Sequence, residues 1–226
     1  MRDRATALAV ALGLALAVAA CSGGAEKNVV NQYFTAVRAN DQGTLTSFAM
    51  VPFDKPIEDW KIVSVGAETR VPAPLPDLVK KQKELEAELA KNKSEAVKWA
   101  NDPAIYQKRE QLSEIQKKGG SVPSGLLPIQ QKYDAYQAAD RDLKKKVAAA
   151  KSEVEREKRN ATMSVGQIDD IENLPGEMIT KDIELLLTTG GQKVPYVMTL
   201  RKYELTSGSG PRMVARWVVQ NLTPKA

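Results

Sequence analysis

The stretch from Asp77 to Arg159 decides what this chain can fold into. Within it, Ile129, Tyr133, Tyr136, Leu143, Val147, Ala150 and Val154 recur at alternating steps of four and three, with Asp140 the polar interruption. On a helix that spacing draws one apolar stripe, the pattern of a coiled-coil seam. Upstream, Leu78, Leu85, Leu89, Ala96 and Trp99 keep the same rhythm, and Gln82 and Asn92 hold the other seam positions. Between the two arms lies a helix-breaking run, Lys118 to Gly125, with three glycines and a proline. A narrow stripe needs a cover, and the nearest cover is the other arm. The stretch therefore predicts an antiparallel helical hairpin. Asp102 can cap a helix whose first residue is Pro103, so the first arm is expected as two helices, 77–100 and 103–118. Arms of about 35 residues would project roughly 50 Å.

At the N-terminus, Arg2 and Arg4 precede an uncharged apolar run, Ala5 to Ala20. A membrane-spanning helix needs about 20 apolar residues. This run is shorter and ends in small residues, as a secretory signal does. Val18-Ala19-Ala20-Cys21 resembles the lipobox of bacterial lipoproteins. In that family the signal is cut before the cysteine, which carries the acyl lipids. The resemblance implies a signal peptide at 1–20, lipidation of Cys21, a tether at 21–25 and a membrane anchor on the extracytoplasmic side. Ser22 is not the aspartate that marks inner-membrane retention in enteric bacteria. In a cell with two membranes the resemblance therefore implies the outer one, facing the periplasm. The competing reading is an uncleaved anchor helix with an incidental cysteine.

Cys21 is the only cysteine, so a lipidated chain would have no thiol left and would rely on packing rather than disulfides. There is no histidine. That excludes Ser-His-Asp and Cys-His catalysis and removes the commonest metal ligand. The charge is uneven: residues 77–159 hold 19 Lys/Arg against 14 Asp/Glu, whereas the remainder after Ala20 holds 12 against 13. The basic excess belongs to the hairpin and is densest at Lys144-Lys145-Lys146 and Lys158-Arg159. Nucleic acid is one target of such a surface. Export argues against it, and an acidic partner or envelope surface fits better. The plainer reading is a solvated helix face.

The rest of the chain, 26–76 and 160–226, reads as one discontinuous domain. A helix is expected over Glu26–Ala39, with Val29, Val30, Tyr33, Phe34 and Val37 on one face. A shorter helix through Leu45 and Phe48 follows, then an extended segment from Trp60 to Val71. Pro72 to Pro76 is a stiff lead into the hairpin. After Arg159, Ala161 to Ile168 reads as a strand-like return. Three strands are then expected: Glu177–Thr188, Lys193–Leu205 and Met213–Leu222, joined by Gly-rich turns. Pro195 favours an edge or bulge in the second.

Two helices, a strand and a meander, opened by the helix Asn28 to Val37 and Asn40-Asp41, resemble small bacterial lipoproteins of the nuclear-transport-factor-like, cystatin-like superfamily. The resemblance implies an α+β fold with N-terminal helices packed on a curved antiparallel sheet, here interrupted by the long coiled-coil hairpin. That superfamily ranges from isomerases to binding modules, so the fold would not fix the function.

Residues able to do chemistry are few. Tyr196, Tyr203, Asp182, Glu184 and the run Asp169, Asp170, Glu172 are the available groups. Asp182 and Glu184 alternate with Ile183 and Leu185, which turns them toward solvent. Asp169 and Asp170 belong to a turn, and their spacing fits no calcium loop. No catalytic, cofactor or metal residues are assigned. The expected function is a membrane-anchored lipoprotein presenting the hairpin to a protein partner. The alternatives are an adaptor of an export or efflux assembly, and a small-ligand-binding or catalytic cone domain. Val122, Leu126 and Leu127 at the hairpin tip are the candidate partner contacts. The competing reading has Leu126 and Leu127 capping the seam on Leu112 and Ile115.

Overall fold

A computed structural model describes residues 23–206 and 215–225. The expected signal segment, Cys21 and the Ser207–Pro211 turn lie outside them. The described chain is α+β, with helices and an antiparallel sheet. Two long strands form its centre: β3 (Gly176–Thr189) and β4 (Gln192–Leu205) pair in unbroken register from Thr189 opposite Gln192 to Gly176 opposite Leu205. Gly190 and Gly191 make the turn at φ +58° and +73°, a region side chains disfavour and tight hairpins require. β1 (Asp59–Val65) and β2 (Thr69–Pro72) both pair with the outer edge of β3, so the expected segment Trp60–Val71 splits into two strands. β5 (Val218–Pro224) pairs with β4. Pro195 sits near the start of β4, one residue before its pairing with β5 sets in.

One face of the sheet carries Ile179, Ile183, Leu185 and Leu187 of β3 with Tyr196, Met198 and Leu200 of β4. Against it pack Val30, Tyr33 and Phe34 of α1 (Gly23–Arg38) and Leu45 and Phe48 of α2 (Gln42–Phe48). Each such side chain, fully buried, contributes about 1.5–3 kcal/mol. Tyr33 donates its hydroxyl to Val51 O at 2.9 Å, and burial pushes its phenol up to about 12. Helix α1 starts at Gly23, so Gly23 to Ala25 of the expected tether are helical. Glu26 lies in that first turn, where the helix dipole favours an acid.

The arms are α3 (Leu75–Ala100) and α4 (Pro103–Lys117) on one side and α5 (Leu127–Val165) on the other, with a single 3-10 turn, Ser124–Leu126, at the tip. The break falls where Asp102 and Pro103 predict it: Asp102 Oδ1 accepts from the N–H of Ala104 and Ile105 at 2.9 and 3.3 Å. Lys81 Nζ lies 3.9 Å from Glu153 and Lys151 Nζ 3.1 Å from Glu86, while Asn92 Nδ2 donates to Tyr136 O at 3.4 Å. Early α3 thus meets late α5, and the two run antiparallel.

Two expectations fail together, for one reason. Ala161 to Ile168 is not strand-like: α5 continues through Val165 and stops at Gly166, with φ +88°. The buried row Val154, Glu157, Ala161 and Ser164 prolongs the stripe at steps of three and four, now against Tyr203 and Leu205 on the second face of the sheet and Ile171 in the 3-10 turn that follows the helix. The last strand, expected from Met213, is described only from Val218: residues 215–217 are not strand, and Met213 lies outside the described residues. Arg216 donates its N–H to Ser164 O at 3.0 Å and accepts from the Ser164 hydroxyl at 2.9 Å. Helix α5 takes the backbone bonds a strand would have used.

Candidate functional site

The end of α5 is fixed to β4 by a buried polar cluster. Tyr203 donates its hydroxyl to Glu157 Oε1 at 2.5 Å, and Arg201 Nη1 donates to Glu157 Oε2 at 3.2 Å. Asn160 Nδ2 reaches the same oxygen at 3.5 Å, and Ser164 Oγ accepts the Tyr203 N–H at 3.0 Å. Burial, then the neighbouring Glu157 charge, push the Tyr203 phenol far above its ordinary value. The phenol stays protonated at any physiological pH, so it serves as a hydrogen-bond donor rather than a base. These groups join helix to sheet.

On the opposite face, Lys181 occupies the inward row of β3 between Ile179 and Ile183. It is 5% exposed and pairs with Glu26, 3% exposed, at 2.5 Å. Glu26 Oε2 has no hydrogen-bond partner among the described residues. Lys181 also lies 3.5 Å from Glu68 and 5.5 Å from the Trp217 ring, over which Lys202 stands at 4.6 Å. Arg70 bridges Glu68, Glu177 and Glu204 at 3.0–3.1 Å. Burial pushes the Glu68 carboxyl up, but Lys202, Arg70 and Lys181 outweigh it and hold it below the ordinary carboxylate range. The sequence signal was there: a lysine in an alternating apolar row needs a partner.

An open apolar surface lies on the arms. Between α3 and α5 lies a groove of about 550 Å³ floored by Ala96, Val97, Trp99, Tyr133 and Tyr136. The Trp99 and Tyr136 rings meet at 5.7 Å, tilted by 45°, yet Val97 is 57% exposed and Tyr133 38%. Small or polar seam residues cause the opening: Asn92 and Ala96 on α3 face Tyr136 and Asp140 on α5. Below it, Leu143, Val147, Ala150 and Val154 are buried and the seam is closed. Cations ring the groove. Lys93 and Arg141 line it, Lys132 Nζ lies 5.7 Å from the Trp99 ring, and Arg109 lies 5.3 Å from the Tyr133 ring. Asp140 also lines it but is bound by Lys144 at 2.6 Å.

At the tip, Leu126 is 9% exposed and lines a hollow with Ile115, Glu110 and Gln111. Leu127 is 41% exposed and Val122 is half-buried. Asp182 accepts from Thr199 at 2.6 Å and Glu184 pairs with Lys225 at 2.6 Å. Glu172 pairs with Lys158 at 2.8 Å, and Asp170 takes the left-handed conformation of a turn. Tyr196 is buried in the core. Among the described residues, no group of three or more Cys, Asp or Glu is placed to hold a metal ion, and no helix is long and apolar enough to cross a membrane.

Compared with protein-family models, curated proteins and solved structures, the chain has no match.

Proposed function

We propose that this protein is a cell-envelope lipoprotein, held to the extracytoplasmic side of a membrane by lipid on Cys21, that presents an antiparallel coiled-coil hairpin to a protein partner and carries out no chemistry itself. In this reading α1 and α2 pack on a curved sheet of the cystatin-like kind, and the hairpin is an insertion that carries the working surface. The observation that supports it best is the uncovered aromatic groove on the arms. Val97 and Tyr133 stand exposed beside the Trp99 and Tyr136 rings, whereas Leu143, Val147, Ala150 and Val154 further along the seam are buried. A few aromatic anchors commonly dominate a protein interface. The test places a photo-crosslinking residue at Val97, Tyr106 or Leu127 in the full-length chain in its own cells. The expected result is a crosslink to a distinct protein, lost when Cys21→Ala blocks lipidation and leaves the signal unprocessed. Absence of crosslinks from every arm position, or the same crosslinks without the lipid, would overturn the proposal.

A further inference from the structure

The groove has the shape and charge to receive one kind of partner segment. Its walls are Asn92 to Ala100 on α3 and Tyr133 to Arg141 on α5, about 12 Å along each helix. Two parallel rails of helix surface with a furrow between them fit the ridge of a third helix. Large rings form the floor, and apolar anchors at helical spacing would cover Val97 and Tyr133 together. Lys93 and Arg141 line the furrow and Lys132 and Arg109 lie over its rings, whereas the one acid in its lining, Asp140, is already bound by Lys144. The arriving helix must therefore bring acids on its flanks. A second copy of this hairpin fits poorly: it would bring the same cations to the same rim, and like charges brought together oppose association.

Resting on the reading of the hairpin as an interaction module, we propose that the furrow between Trp99 and Tyr136 binds an acidic amphipathic helix of a protein partner, making a three-helix packing. The Lys132 and Arg109 side chains already lie over the rings, so carboxylates on the incoming helix meet cations held in place beside the apolar floor.

The experiment uses the full lipidated chain in nanodiscs of phosphatidylcholine and two labelled synthetic peptides of about five helical turns. Both carry Leu at i, i+3, i+4 and i+7. One carries Glu elsewhere and the other Lys. The Glu peptide should bind at least about tenfold tighter at low salt, and the preference should shrink as salt screens the rim. Val97→Glu should weaken the Glu peptide about tenfold or more with unchanged far-UV helicity, and Lys93→Glu with Arg141→Glu should invert the preference. Equal binding of both peptides, no binding at about 1 mM, or self-association of the chain that Val97→Glu abolishes would each overturn the proposal. If the furrow fails these tests while Leu127 still crosslinks a partner in cells, the hairpin reading stands and this inference alone falls.

Discussion

Removing one member of the Glu26–Lys181 pair should cost far more than removing both. Lys181 is 5% exposed and Glu26 3%, so neither charge can turn to water without opening the core. Breaking a buried ion pair typically costs about 3–5 kcal/mol, because the partner stays behind uncompensated. The two single changes should not be equal. In Glu26→Leu, Lys181 keeps Glu68 at 3.5 Å and the Trp217 ring at 5.5 Å, which points to about 3 kcal/mol. In Lys181→Met, Glu26 keeps an oxygen that lacks a partner and gains a second, which points to about 5 kcal/mol. The double change replaces the pair with apolar volume and should return stability to the starting value or raise it by about 1–4 kcal/mol. The assay is urea unfolding of the chain from Ser22 onward, followed by circular dichroism and tryptophan fluorescence at constant m-value. A single variant too unstable to fold is still informative, since rescue by the second change is the signature. If the singles cost under about 1 kcal/mol each and simply add, the pair is not coupled and the reasoning is wrong.

Leu126→Ala should lower the melting stability by about 2 kcal/mol or more, whereas Leu127→Ala should stay within about 0.5 kcal/mol, because only Leu126 is buried beside Ile115. Replacing residues 82–152 with a short Gly/Ser linker should leave one cooperative urea transition, since Lys81 and Glu153 lie side by side. Removing Asp77 to Arg159 also deletes Val154 and Glu157 and should shift the midpoint to clearly lower urea. The Glu68 carboxyl is depressed in the fold, so its stabilisation is complete above its ordinary value of 4.5 and fades as pH falls through the lower folded value. Glu68→Gln should flatten the acid limb of a stability–pH curve. Tyr33 moves the other way: its folded value near 12 against 10.0 means stability fades as pH rises from 10 toward 12, and Tyr33→Phe should remove that share of the alkaline loss.

The long helices within 77–159 were legible because their signal is periodic. Every first-arm seam position, including polar Gln82 and Asn92, is at least half-buried, and the break at Asp102-Pro103 falls where its capping chemistry puts it. The long strands and their glycine turn were legible for the same reason. What stayed hidden was written in residues that do not look apolar. Glu157, Ala161 and Ser164 continue the stripe, but one is charged, one is small and one is a hydroxyl, so the pattern seemed to end at Arg159. Lys181 escaped notice because its partner, Glu26, is 155 residues away and no local rule joins them. The weak seam residues Asn92, Ala96 and Asp140 signalled loose pairing. They could not show that looseness would uncover Tyr133 rather than draw the arms together.

A rod fixed at one end works on whatever holds it. Helix α5 has 39 residues and is about 58 Å long, and Glu157 to Val165 is the part gripped by the sheet. From Leu127 to Glu157 is about 45 Å, against about 12 Å beyond, so a sideways load at the tip reaches the gripped end multiplied roughly fourfold. The opposite arm is interrupted at Asn101-Asp102, whereas α5 runs unbroken from tip to base. At the fulcrum stand Tyr203 and Glu157, and just past it Ser164 holds the backbone of Arg216, ahead of β5. Force on the tip is thereby delivered to the edge strand of the sheet.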